Sequence, residues 1–119
     1  MPPPRDYRDH PEYYSQGDFR MANPATLRAA LPPYTRLILG DIDNTVRAFD
    51  AVAHIGFVSI DVDYYFSALD TLEIFRKSPH VYLPWAIVYL DDVEYETHNE
   101  HCGELLAQKD FTERNPLGP

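Results

Sequence analysis

The sequence predicts an α/β domain with about three parallel strands and flanking helices, on three observations. Two apolar stretches, Gly56-Phe57-Val58-Ser59-Ile60 and Trp85-Ala86-Ile87-Val88-Tyr89-Leu90, run straight into acid, at Asp61 and Asp63 and at Asp91 and Asp92. Between them, residues 65–77 place Tyr65, Phe66, Leu69, Leu72 and Phe75 on one helical face and turn Asp70, Glu73 and Arg76 outward. Earlier, Arg36-Leu37-Ile38-Leu39-Gly40 reads as a further short strand that ends at Asp41. Strands that alternate with helices form parallel sheets, and the ligand site of such a sheet lies beyond the carboxyl ends of its strands.

Each element has a local cause. Residues 1–23 show no period, and with three consecutive prolines, Tyr7, Tyr13 and Tyr14 they read as an extended N-terminal loop pinned by its aromatic rings. Asn23 as N-cap and Pro24 at the first helical position begin a helix whose Leu27, Ala30 and Leu31 share a face, and Pro32-Pro33 stops it. The strand at 36–40 comes next. A brief helix over 45–50 follows, with Val46 and Phe49 on one side, and then the strand at 56–61. Ser78-Pro79 ends the helix over 65–77. The strand at 85–90 is apolar nearly throughout, as expected of a strand covered on both faces. An acidic loop carries Glu94, Glu96, His98, Glu100 and His101. A last helix over 103–111 is expected to bury Leu105, Leu106 and Phe111, and the tail at 115–119 to fray.

A chain of 119 residues makes one domain, taken here as 1–119. Nineteen acidic against ten basic residues give a net charge of -9, which argues against nucleic acid as a partner, because phosphate binding needs a basic surface. The single cysteine, Cys102, cannot form an internal disulfide, which fits a reducing compartment. The first residues hold no apolar run of the secretory type, and the two apolar strands are too short to span a bilayer. The expectation is a soluble, cytoplasmic protein without membrane association.

Asp41, Asp61, Asp63, Asp91 and Asp92 all fall at predicted strand ends. Aspartates also cap helices, and Asp63 suits that role, but capping does not account for the double Asp91-Asp92. Asp61, Asp91 and Asp92 from adjacent strand ends suit Mg²⁺, which prefers a few carboxylates and retained waters. Leu37-Ile38-Leu39-Gly40-Asp41-Ile42-Asp43-Asn44-Thr45-Val46 resembles the first motif of haloacid-dehalogenase-type phosphatases. That resemblance implies Asp41 as nucleophile and Asp43 as general acid/base, with Asp91-Asp92 holding Mg²⁺. Ser59-Ile60 follows Thr45 too closely, however, to leave room for that family's flap. A non-catalytic acidic module that binds a cation or a partner chain is the third reading.

A second resemblance covers more of the chain. From Gly17 to Ala107 the sequence is similar to the C-terminal part of class I S-adenosylmethionine-dependent methyltransferases, in the group resembling macrocin O-methyltransferase. The matching stretches are Leu39-Gly40-Asp41, Phe57-Val58-Ser59-Ile60-Asp61-Val62-Asp63-Tyr64-Tyr65, Val88-Tyr89-Leu90-Asp91-Asp92, and Asn99-Glu100 with Gly103-Glu104-Leu105-Leu106-Ala107. The resemblance implies a Rossmann-like methyltransferase fold, present in part, and O-methyl transfer to a small molecule or sugar. It places Asp41 and Asp61 at the cofactor, Asp41 accepting a hydrogen bond from the adenine amino group. It places Asp61, Asp91 and Asp92 at Mg²⁺, which in the metal-dependent members orients a substrate hydroxyl and lowers its pKa. His98 and His101 are the general-base candidates; the resemblance assigns neither, and a loop histidine is ordinarily solvated. Phe66 and Ala68 stand where relatives have small hydroxyl residues, so capping of that helix falls to Ser67 or Asp63.

The same resemblance sets a problem. Methyltransferases of this class begin with a strand and a glycine-rich turn that cradles the cofactor, and no G-x-G-x-G occurs among the five glycines here. In that family the fourth and fifth strands are neighbours, whereas the third lies beyond the second and the first. The strand at 36–40 would then lose its ladder unless it packs beside the strand at 56–61. The expectation is a partial domain in a compact three-strand layout, with self-association or a second chain engaging unpaired strand edges.

Overall fold

The computed structural model of the chain describes residues 1–93 and 99–116. Its elements in order are helix α1 (Pro24–Ala30), helix α2 (Ile42–Ala48), strand β1 (Ile55–Ile60), helix α3 (Tyr65–Leu72), strand β2 (Tyr82–Leu90) and helix α4 (Gly103–Arg114). Glu94, Glu96 and His98 of the acidic loop, and Leu117, Gly118 and Pro119 of the tail, lie outside the described residues. Among the described residues no helix is long and apolar enough to cross a membrane.

The architecture is mixed α/β, with a parallel sheet of two strands among the described residues rather than three. β1 and β2 pair directly, Phe57 opposite Ile87 and Ile60 opposite Leu90. Between the Ile55–Tyr82 and Phe57–Ile87 pairs β1 advances two residues and β2 five, so β2 is bulged there. Pro84 lies in the bulge, where its missing N–H costs no ladder bond. The connection from β1 to β2 runs through α3, a 3₁₀ turn at Glu73–Arg76 and another at Pro79–Val81. Tyr82 closes this crossover: its ring stacks on Phe75 at 6.3 Å, and its hydroxyl donates to the Ile74 carbonyl.

Two expectations about strands are corrected. Residues 36–40 form no strand and do not pack beside β1 as a third one. A lone extended segment has no ladder partner, and Ile38 and Leu39 stay 43% and 48% exposed. Gly40, at φ +150, turns the chain into α2, and a Cβ there would meet Thr45 Cγ2 at 2.8 Å. β2, expected to be covered on both faces, is instead exposed along most of its length. Its apolar run suits a burial that the described residues supply only at its two ends.

The core lies where α3 and α4 cross the sheet. Ile60, Tyr65, Ala68, Leu72 and Ala107 are buried, with Val58, Leu69, Phe75, Leu90, Leu106 and Phe111 packed around them. α4 therefore meets α3 through Ala107, flanked by half-buried Leu106 and Phe111, while Leu105 is only half-buried. The Tyr65 hydroxyl enters this core with a partner, donating to Asp110 Oδ2 at 2.7 Å. α2 begins earlier than its pattern predicts, at Ile42, and packs on α3 and the turn after it. α1 forms as expected, with Asn23 Oδ1 accepting from the N–H groups of Ala25 and Thr26, but of its apolar face Leu27 and Ala30 are exposed and Leu31 is only half-buried.

The N-terminal stretch is more than a loop. A 3₁₀ turn at Tyr7–Asp9 brings Asp9 against the head of α3, where the side chain is fully buried. Asp9 Oδ1 accepts from the Phe66 N–H at 3.1 Å, and Oδ2 from the Arg5 N–H at 2.8 Å. This carboxylate, rather than Ser67 or Asp63, caps α3. The Arg8 guanidinium lies over the rings of Tyr65 and Phe66 at 4.5 and 4.7 Å and is held by Asp6 at 2.7 Å. Asp9→Ala leaves a buried helix-terminal N–H without its acceptor and is expected to lower stability by about 1–2 kcal/mol. Urea unfolding reads this directly, and a loss under about 0.5 kcal/mol would show that the cap is supplied elsewhere.

Candidate functional site

The acidic residues that end β1 and β2 leave the sheet side by side. Ile60 stands opposite Leu90, and the Asp91 N–H still donates to the Ile60 carbonyl at 3.1 Å, carrying the ladder one residue past β2. Asp61 is exposed, whereas Asp63, Asp91 and Asp92 are half-buried.

A residue outside the predicted acidic set organises this edge. Glu104, in the first turn of α4, is essentially fully buried. Its Oε1 accepts from the Val62 N–H at 2.9 Å and its Oε2 from the Asp92 N–H at 3.2 Å. One carboxylate thereby satisfies backbone donors just beyond both strands, and ties them to the start of a helix, whose dipole favours negative charge there. Burial pushes the Glu104 carboxyl above its ordinary value, the two N–H groups pull it back, and nearby Asp92 and Asp61 push it further up. Gly103 gives α4 its approach, with φ at +58 and its Cα side set against the Asp63 carbonyl and the His10 ring.

The N-terminal residues close over the same edge. The Tyr14 phenol faces Asp63, and burial followed by the charges of Asp63, Asp92 and Glu104 holds it well above the usual phenol range. Its ring packs edge-on against Tyr64 at 6.0 Å, and the Tyr64 hydroxyl donates to the Pro2 carbonyl at 3.3 Å. A cleft of about 200 Å³ remains, with Met1, Pro2 and Phe19 on one side and Asp61, Asp63 and Ser67 on the other.

The other predicted residues are placed apart or in simpler roles. Asp41 is exposed at the N-cap position of α2, where its backbone carbonyl accepts from the Thr45 hydroxyl at 3.0 Å and its side chain makes no cap bond. Its charge and that of Asp43 act on Asp70 of α3, whose carboxyl is raised first by burial. Asp41 therefore belongs to the charges between α2 and α3, while Asp61, Asp63 and Asp92 gather around Glu104 and Tyr14. Asp43 is in an i, i+4 ion pair with Arg47, so the D-x-D-x-T stretch here forms the first turn of a helix. His101 is exposed in the turn before α4, its N–H donating to Asn99 Oδ1 at 2.9 Å. His98 lies outside the described residues. The same Asn99 oxygen accepts from the Cys102 thiol at 3.2 Å, and burial holds that thiol above its ordinary value.

Compared with protein-family models, with curated proteins and with solved structures, the chain matches none. The donor set can be tested against a cation on its own geometry. Asp91 Oδ1 takes the Tyr89 hydroxyl at 2.7 Å, and among the described residues no three His, Cys, Asp or Glu side chains are grouped to hold a metal. Asp61, Asp91 and Asp92 thus do not form a ready Mg²⁺ cage as arranged here. What the edge offers as it stands is hydrogen-bond acceptors and negative potential at the mouth of a small cleft.

Neither Glu104 nor Asp9 stands out in the sequence as a backbone acceptor. A glutamate in a first helical turn reads as ordinary dipole complementarity, and an aspartate in an aperiodic segment carries no pattern at all. Glu104→Gln keeps one acceptor and turns an amide donor toward the other backbone N–H, at an expected loss of roughly 1–3 kcal/mol. The folded-state pKa of Glu104 lies above 4.5, so the stability contributed by its proton binding is full below that value. It is lost as pH rises through the raised value. The stability gap between parent and variant should therefore narrow from acid toward neutral pH in urea unfolding. A gap that widens instead would show that the two N–H groups outweigh burial at this carboxylate.

Proposed function

We propose that this chain is the acceptor-side portion of a class I S-adenosylmethionine-dependent methyltransferase domain, serving O-methyl transfer to a small molecule or sugar. One observation carries the reading: two acid-ended strands pair in parallel as direct neighbours, joined through a helical crossover. In the family that the sequence resembles, the corresponding fourth and fifth strands are neighbours. The first strand, which leads into the glycine-rich turn, flanks the fourth on its far side. The far edge of β1 is unpaired among the described residues, which leaves that position open. The Rossmann-like character of the fold belongs to this same reading.

In methyl transfer the protein chiefly positions donor and acceptor for in-line displacement. The cleft beside Asp61 and Asp63 is suited to the acceptor's side of that task, since carboxylates there can take hydrogen bonds from substrate hydroxyls. The S-adenosylmethionine site needs the cofactor-binding portion, and Mg²⁺, where used, needs the acidic edge rearranged. The phosphatase reading has less support, because Asp43 is ion-paired along α2 instead of standing beside Asp41 at a strand end.

Isothermal titration of this chain with S-adenosylmethionine is expected to give no measurable heat of binding. Micromolar affinity would overturn the assignment as a portion without the cofactor site. Hydrolysis of an aryl phosphate that disappears in Asp41→Asn would replace the methyltransferase reading with a phosphohydrolase.

A further inference from the structure

The β1–β2 sheet is covered on one side. Opposed residues of a parallel pair share a face, so the register sets Phe57 with Ile87 and Ser59 with Tyr89. Val58, Val88, Ile60 and Leu90 occupy the other face, where α3 and α4 bury or pack against all but Val88, which is 45% exposed. The first face lies open: Phe57 is 60%, Ile87 66% and Tyr89 50% exposed, and Trp85 in the bulge just upstream is 89% exposed. From Tyr82 to Leu90 the strand holds no charged residue, so it lacks the lysines and inward charges with which exposed strands discourage pairing. Parallel sheets are ordinarily buried on both faces.

We infer that this open face is the isologous interface of a homodimer, in which two copies pack their sheets face to face about a twofold axis. The inference stands on the sheet alone and does not depend on the methyltransferase reading. Area is the first argument. An aromatic side chain buries about 150–250 Å², so three exposed aromatics and Ile87 offer roughly 500 Å² per copy, about 1,000 Å² for the pair. That reaches the size at which a specific interface becomes credible, and it stands at the upper end of apolar patches tolerated on monomers.

Charge is the second argument. Each chain carries -9, yet the patch itself is neutral, and Asp61, Asp63, Asp91 and Asp92 lie past the ends of the strands that form it. The centre of the face is uncharged, and the one carboxylate that reaches it, Asp91 on the Tyr89 hydroxyl, stands at its rim.

Trp85 is the only tryptophan, so its emission reports this surface alone. Size exclusion with light scattering across a concentration series should show a dimer, with Trp85 emission shifted to the blue and moving red on dilution. Ile87→Glu and, separately, Phe57→Glu alter side chains that are already exposed, so the fold is retained by circular dichroism. Each should raise the dimer dissociation constant at least about tenfold and move the emission red. A monomer at every concentration with the emission of a solvated indole overturns the inference. So does a dimer whose dissociation constant neither substitution changes.

Discussion

The Glu104 carboxylate is the constraint on which the described structure turns. β1 and β2 are parallel, so they are joined not by a tight turn but by a long crossover, and their carboxyl ends leave the sheet with backbone donors to satisfy. Glu104 takes one such donor beyond each strand, the N–H of Val62 and that of Asp92, from a side chain anchored at the start of α4. Sheet, crossover and final helix are thereby tied at one point. Burying a carboxylate is costly, and the cost is tolerable here because its oxygens meet N–H donors. Asp9 repeats the device at the other end of the chain, joining the N-terminal segment to the head of α3 through two further backbone N–H groups. Two of the many acids in this sequence thus act as internal acceptors rather than as solvated surface.

The consequence for the acidic edge is that its geometry is set from behind. Asp61 and Asp91 emerge at adjacent strand ends, while Glu104 takes the Asp92 N–H and the Tyr14 phenol faces Asp63. An edge built this way presents hydrogen-bond acceptors, and among the described residues no three His, Cys, Asp or Glu side chains are grouped to hold a metal. Asp41 sits with Asp43, Arg47 and Asp70 between α2 and α3, so the two aspartates expected at one cofactor have different surroundings. The open sheet face makes a separate demand, because Phe57, Trp85, Ile87 and Tyr89 represent apolar area that the described helices do not cover.

The parts of this structure legible in the sequence are those with local causes. The 3.6-residue period located α3, Asn23-Pro24 started α1, and the two acid-ended apolar runs became β1 and β2. Residues 36–40 misled because a strand is defined by its neighbour, and an apolar run does not say whether that neighbour is present. β2 misled for a related reason: Trp85-Ala86-Ile87-Val88-Tyr89-Leu90 records what burial the strand suits, not what burial these residues provide. At the candidate site the exposed acids were legible by type and position. Glu104, Asp9 and Tyr14 were not, since their roles rest on contacts between residues tens of positions apart, as with Asp9 and Phe66 or Glu104 and Val62.

The claim that one buried carboxylate holds both strand ends is tested most directly by following the backbone amide signals of Val62 and Asp92 by nuclear magnetic resonance through an acid titration. If Glu104 bridges them, the two amides move together with a single apparent pKa above 4.5. That common transition is absent in Glu104→Gln. Two amides that titrate independently, or a transition that survives the substitution, would contradict the account.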